Sequence, residues 1–436
     1  MLAVVAAALF ASPKPTVQPT ASVQWAGAPA ARIVLQSRSL GVTPDGVARI
    51  LVRVLFRDAL GKPTTLLGGG DVEFSASAGE LQWQTRSRFD APSAVLSVRA
   101  AAPVTIDVAT NAELGSLQTR TSVMPATVPT GAVVGAPLGP HLVQLGWFAP
   151  ANSRTTIIVR SGPDGANIVG LVGAPASTYR DTTVVPGGHY AYTVITERGR
   201  RTTLSVDVPP EFDVPAGAIA GKGMWLSFSP SARDPDAYTK LDPQAVVAQA
   251  LAAGLRYIEL RTAYGEYWEV TPQAQSTIDA LIDLAAQAGI SVIGWTVPRT
   301  TSYDDLALAT RTAAYTTPQG NHFAGIAVDL ERGDEFLGSG ASGYAALTDY
   351  LRLVRAALGP RYPIMATVED PSLEHLDASA YPYHAIAAAA TAFQPMIYWR
   401  MLSKQATSPA SVRAIIAASF AAARHAAGRS IDVNVG

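Results

Sequence analysis

Cysteine is absent from this chain of 436 residues, which excludes disulfides, thiolate metal sites and a cysteine nucleophile. Charge is sparse too, at 15% of residues, and nearly balanced: Lys+Arg 33 against Asp+Glu 34, a net charge of -1. Such a chain has no electrostatic reason to seek nucleic acid or an anionic membrane surface. Histidine is scarce, with 6 residues that do not cluster with acidic partners at metal-ligand spacing; His322 reads as a loop residue. Gly-rich phosphate loops, the dinucleotide fingerprint, a serine elbow and the EF-hand pattern are all missing. No metal and no cofactor are therefore expected. Nor is any stretch long and apolar enough to be a transmembrane helix.

Apolar residues, by contrast, make up 48% of the chain, ample for packed cores. The length allows about two to four domains. Residues 1–15 carry an apolar run of roughly ten residues, too short to span a bilayer but suited to a signal peptide. Ala11, Ser12 and the break Pro13-Lys14-Pro15 would form its exit, although a basic leader is missing. Export is expected, to the medium or the cell surface.

From 16 to 127 the sequence alternates with period two. ARILVRVLF places Ile50, Val52, Val54 and Phe56 on one face, and DVEFSASAGEL and VTIDVAT follow after Gly/Pro/Asp turns. Short strands at this spacing predict a β-sandwich. The order Asp45-Gly46, strand, Asp58 to Pro63, Val72-Glu73-Phe74, Ser77-Ala78-Gly79 resembles the bacterial Ig-like, invasin-type repeat. After a linker at 128–140, residues 141–211 predict a second sandwich. There Trp147 in LVQLGWFAP, then Tyr179, Asp181, Pro186-Gly187 and Tyr190-Ala191-Tyr192, resemble a fibronectin type III module. These aromatics read as core, and both sandwiches as spacers or adhesive surfaces.

Beyond a linker at 212–222, apolar strands alternate with Ala/Leu helices through 223–436, the βαβ rhythm of a parallel sheet. Strands are predicted near 224–228, 256–261, 291–297, 324–330, 363–368, 393–398 and 431–435. Asp242 with Pro243 announces one helix start, and Gly254, Gly289 and Gly359 mark helix ends. Two all-β sandwiches followed by an α/β (β/α)8-type TIM barrel are thus expected. Because a closed barrel needs eight strands, the barrel is expected to be truncated after its seventh.

The active site of such a barrel lies at the C-terminal strand ends. In FAGIAVDLERGDEF, period two sends Gly325, Ala327, Asp329 and Glu331 to one face and Ile326, Val328 and Leu330 to the other. Two like charges on one face raise the pKa of one of them, as a general acid working near neutrality requires; the bland alternative is a capping pair bridged to Arg332. Glu259 and Arg261 share a face of the second strand, and read equally as substrate contacts or as a structural ion pair. Trp295 would serve either as a sugar-stacking platform or as a buried strand residue. Glu369 and Asp370 end the fifth strand; Gln394, Met396 and Tyr398 share a face of the sixth, with Trp399 at its mouth.

GIAVDLE together with QPMIYW resembles the chitinase-type barrel of glycoside hydrolase family 18. The resemblance implies Glu331 as the general acid, with Asp329 orienting the substrate's 2-acetamido group and Tyr398 hydrogen-bonding that group as it attacks the anomeric carbon. The chain departs from the family where Ala324 and Ala327 replace acidic residues, Leu330 a tryptophan and Trp399 an acid. Hydrolysis of glycosidic bonds in a polysaccharide is expected, with N-acetylated chains such as peptidoglycan glycan or chitin-like polymers among the candidates. Glu259, Arg261, Trp295, Glu369, Asp370, Gln394 and Trp399 would be substrate contacts. The alternative is a non-catalytic cell-surface adhesin whose degenerate barrel only binds glycan.

Overall fold

The computed structural model describes residues 30–434, apart from 45, 65–70, 86–91, 100–101, 112–115, 126–131, 149–153, 197–198, 215–216, 227–236, 266, 300–302, 333–336, 338–339, 373–379 and 399–407. The signal-like segment and Trp399 lie outside the described residues.

Strands β1 (Arg32–Val42), β2 (Ala48–Arg57), β3 (Pro63–Thr64), β4 (Asp71–Ala76), β5 (Glu80–Thr85), β6 (Ser93–Val98), β7 (Val104–Asn111) and β8 (Leu117–Val123) come first. They form two antiparallel sheets, β1-β2-β6-β5 with β3 on β2, and β4-β7-β8. Alternation explains their packing: Ile50, Val52, Val54 and Phe56 are buried with Val104, Ile106 and Val108 of the facing sheet.

A second pair of sheets follows. It uses β9 (Val133–Gly139), β10 (Leu142–Trp147), β11 (Thr155–Gly162), β12 (Gly165–Gly173), β13 (Thr178–Asp181), β14 (His189–Thr196) and β15 (Arg201–Asp207). The orders are β13-β10-β9 and β12-β11-β14-β15. Trp147, Tyr190 and Tyr192 are buried in its core. Asp181 is fully buried there, bonded by Arg160 at 3.0 Å, Tyr192 at 2.8 Å and the Thr183 hydroxyl at 2.7 Å. Burial pushes the Asp181 carboxyl up, but the Thr183 and Tyr192 hydrogen bonds and the Arg160 charge outweigh it and hold the pKa below its ordinary value.

The remaining strands are β16 (Gly223–Trp225), β17 (Tyr257–Tyr264), β18 (Tyr267–Trp268), β19 (Ser291–Val297), β20 (Ile326–Asp329), β21 (Ile364–Val368), β22 (Ala392–Pro395) and β23 (Asp432–Val433). The helices are α1 (Pro243–Ala252), α2 (Gln275–Gln287), α3 (Tyr303–Ala313), α4 (Gly340–Leu358), α5 (Tyr383–Ala389) and α6 (Pro409–Ala427). The parallel order is β16-β17-β19-β20-β21-β22-β23, with β18 folded back on β17.

The expected (β/α)8-type TIM barrel is corrected by this topology. The chain is mostly β-sheet, and its last part is one open parallel sheet of seven strands, with β16 and β23 as edges that no ladder joins among the described residues. Closure requires staggered pairing right round the ring. Here the edge strands are three and two residues long. A side chain spans the seam in place of a ladder: Asn434 Nδ2 donates to Ile219 O at 2.7 Å. Ile326, Val328 and Leu330 pack on the helix side with Leu347, Leu351 and Val354, while Tyr257, Ile293, Ala327, Met365 and Ala392 fill the opposite, concave side.

The sheet pairs are docked rather than strung out, a feature that local sequence patterns do not foretell. Leu138 and Leu142 are buried in the same cluster as the α4 leucines. Thr310 donates to Leu138 O, His141 N donates to Ala357 O at 3.3 Å, and Arg49 of β2 reaches Asp304 of α3 at 3.3 Å. Two glycines permit the approach. A Cβ on Gly139 would lie 2.4 Å from Ala357 O, and one on Gly359 would lie 2.5 Å from the His141 ring. Gly139→Val is therefore expected to cost about 1–3 kcal/mol as an overpacked contact. Calorimetry should show the unfolding of the second sheet pair separating from that of the parallel sheet; an unchanged trace would mean that the contact yields freely.

Candidate functional site

Strand register gathers the chemistry on the concave face. Trp225 pairs with Glu259 across β16 and β17, Arg261 with Trp295 across β17 and β19, Asp329 with Thr367 across β20 and β21, and Thr367 with Gln394 across β21 and β22. In-register residues of neighbouring strands point the same way, so these side chains line one cup at the C-terminal strand ends.

Asp329 is 4% exposed, and its Oδ1 has no hydrogen-bond partner. Burial, then the negative charge of Glu331, pushes its carboxyl well above the ordinary range, and Glu259 adds to the rise. The Trp295 indole lies close enough to pull the other way, yet its nitrogen is also buried without a hydrogen bond. Glu331, two residues on, is half-buried. Tyr398 is 43% exposed with φ 20, and its hydroxyl is pushed up to about 12 by burial and then by Glu331, Asp329 and Glu369. The structure thus brings Asp329, Glu331 and Tyr398 together.

Glu259 is fully buried. It accepts hydrogen bonds from Trp225 Nε1 at 2.8 Å and from Gln394 Nε2, while Gln394 Oε1 accepts from Thr367 Oγ1 at 3.1 Å. Burial pushes the Glu259 carboxyl up to about 8 against the pull of these two donors. Arg261 does not pair with Glu259. Its guanidinium grips Glu269 through Nε at 2.8 Å and Nη2 at 2.7 Å, with Tyr264 and Trp295 rings 5.3 and 5.6 Å away. Glu369 is bridged by Arg332 at 3.1 Å. Asp370 turns into its own loop, where Oδ1 accepts from Ser372 N and Oγ at 2.9 and 2.8 Å.

Sequence reasoning missed three residues here. Trp225 is stacked 6.3 Å from Trp295 at 26° and lies 6.2 Å from Tyr398; its signal was an aromatic two places after Gly223, in phase with the concave face. Glu269 was hidden beyond the β17–β18 hairpin. Tyr381 donates to Leu330 O at 2.6 Å, and Leu330 N donates to Thr367 O at 3.0 Å, so the backbone between Asp329 and Glu331 is held from both sides. Tyr381→Phe leaves that buried carbonyl one donor short. A loss of about 1–3 kcal/mol is expected, read as a lowered urea midpoint; an unshifted midpoint would show that the clamp is dispensable.

Among the described residues no group of three or more His, Asp or Glu is arranged to hold a metal ion, and no helix is long and apolar enough to cross a membrane. No family model and no curated protein matches the chain. Among solved structures, the chain is similar to a chitinase from Chromobacterium violaceum ATCC 12472 (15% identity, 49% of this chain and 68% of that one, TM-score 0.32). A family 39 glycoside hydrolase from Bacteroides cellulosilyticus WH2 is matched at 13% identity, over 57% of this chain and 52% of that one, TM-score 0.25. The adhesin InvE of Yersinia pseudotuberculosis is matched at 15%, over 40% and 58%, TM-score 0.19. The chain therefore has weak structural similarity to glycoside hydrolases and to adhesins, and it spans little more than half of the adhesin and of the family 39 enzyme. At these TM-scores the likenesses carry no part of the functional reading.

Proposed function

We propose that the cup cleaves glycosidic bonds in a polysaccharide bearing N-acetylated sugars. The observation that carries this reading is the carboxyl pair at the end of β20: Asp329, held protonated by burial and by its neighbour's charge, beside the more open Glu331. Two interacting carboxyls share protons as a unit, so the proton that Asp329 holds while Glu331 is charged can pass to Glu331 and from there to the glycosidic oxygen. As the bond to the anomeric carbon breaks, the leaving alcohol takes that proton, and the substrate's own acetamido oxygen closes on the anomeric carbon until water displaces it and gives its proton to the Glu331 carboxylate. Two buried polar atoms without partners, Asp329 Oδ1 and Trp295 Nε1, are the kind of acceptor and donor that an amide satisfies. The Tyr398 hydroxyl, protonated at neutral pH, supplies a further donor, and the Trp225 and Trp295 rings offer apolar faces to a sugar. The apolar run within residues 1–15 supports export, to a compartment where polysaccharide is the partner.

Reducing-end release from a panel of N-acetylated and plain polysaccharides tests the reading. Release confined to the N-acetylated members is the expected result. Binding with no release from any member would replace it by the non-catalytic, adhesin-type reading.

A further inference from the structure

We infer that Glu259 is a positioning residue that does not meet the glycan but holds the Trp225 indole at the angle against which the sugar packs. The inference rests on the carbohydrate-site reading above. Glu259 lies on the concave face yet is fully buried, and each of its oxygens already has a donor, Trp225 Nε1 on one and Gln394 Nε2 on the other. Thr367 in turn fixes the Gln394 amide. The chain of bonds therefore runs from β21 and β22 across the cup to β16 and ends on the half-buried Trp225, whose ring stacks on Trp295 and leans on Tyr398. An indole has a single N–H, so its one bond selects the ring's orientation. Asp329 and Tyr257 are the titratable groups that face Glu259. Glutamine keeps one acceptor oxygen for the indole, and a turned-over Gln394 amide can accept from the new NH2 while donating to the Thr367 hydroxyl, so the bond that holds Trp225 is retained.

The test uses ¹⁵N-indole spectra of the full chain, with the Trp225 signal identified by its loss in Trp225→Phe. In Glu259→Leu that signal should shift and its hydrogen exchange quicken, whereas Glu259→Gln should leave it in place. Binding of a tetramer of β-1,4-linked N-acetylglucosamine should weaken at least ~10-fold in Glu259→Leu and stay near wild type in Glu259→Gln. The Leu exchange should add nothing in the Trp225→Phe background. An unmoved indole in Glu259→Leu, or a Gln variant that binds as poorly as the Leu variant, overturns the proposal. Should Glu259→Leu not fold, Glu259→Met, which also removes the acceptor, supplies the same readout, and an unmoved Trp225 indole there overturns the proposal. If the tetramer binds no form of the protein, the glycan reading fails, and the indole signals alone decide whether Glu259 holds Trp225.

Discussion

Replacing Glu331 by Gln is expected to slow glycan cleavage by at least ~100-fold, the lower end of what a positioned general acid contributes. The amide fills the space of the carboxyl but delivers no proton at any pH, so the loss should sit in kcat with binding little changed. A second signature follows from the neighbouring group. Part of the Asp329 elevation comes from the Glu331 charge, so Glu331→Gln should let the Asp329 pKa fall, although burial still holds it above the ordinary range. In the wild type the interacting pair should give a bell-shaped dependence of rate on pH. The residual activity of the variant should lose the limb that reports the coupling. Asp349→Asn is the matched control, because its carboxyl pairs with Arg352 at 3.5 Å on the exposed face of α4, away from the cup. A Glu331→Gln enzyme within about fivefold of wild type would place the proton donor elsewhere and remove the central support of the hydrolase reading.

What could be read from the chain beforehand divides along the range of the interactions involved. Strand periodicity is local, and it is enough to separate Ala327 and Asp329 from Ile326, Val328 and Leu330, which in the structure lie on opposite faces of β20. Helix ends are local too: Asp242 accepts from Ala245 N at 3.1 Å at the start of α1. Closure of the sheet is not local. It depends on whether β16 finds β23, more than two hundred residues away, and a side chain from Asn434 spans that seam. The same distinction explains the site. Glu259 reads from the chain equally as a substrate contact or as an ion-pair partner of Arg261, because the residues that bond it, Trp225 and Gln394, lie 34 and 135 positions away. Arg261 was grouped with Glu259 by spacing along one strand, yet the hairpin of β17 and β18 delivers Glu269 to it instead. The docking of the second sheet pair hangs on the missing Cβ of Gly139, which carries no pattern in the chain.

Stability should fall as the pH rises from about 4.5 to about 8, and Glu259→Gln should remove much of that fall. Glu259 has its folded pKa raised from 4.5 to about 8 by burial. The contribution of such a group is fully present below pH 4.5 and is lost as the pH rises through about 8, because over that interval the folded state binds a proton that the unfolded chain has released. Folded and unfolded pKa values that differ by one correspond to about 1.4 kcal/mol, so the whole effect is on the order of a few kcal/mol at a site with no solvent to screen it. Asp329, raised for the same reason, adds to the slope and leaves part of it in the Gln variant. Asp181 acts with the opposite sign: its lowered pKa stabilises the second sheet pair above the ordinary aspartate range, and that support fades as the pH falls through the folded value. Thermal midpoints recorded between pH 4 and pH 9 should therefore decline with rising pH, the acid-side loss due to Asp181 setting in only below its ordinary pKa of 3.8. For the parallel sheet, the midpoint of Glu259→Gln should cross above that of the wild type as the pH approaches 8. Two parallel curves would mean that Glu259 is ionised in the folded protein at neutral pH, and the buried network of Trp225, Glu259 and Gln394 would then have to hold a charge.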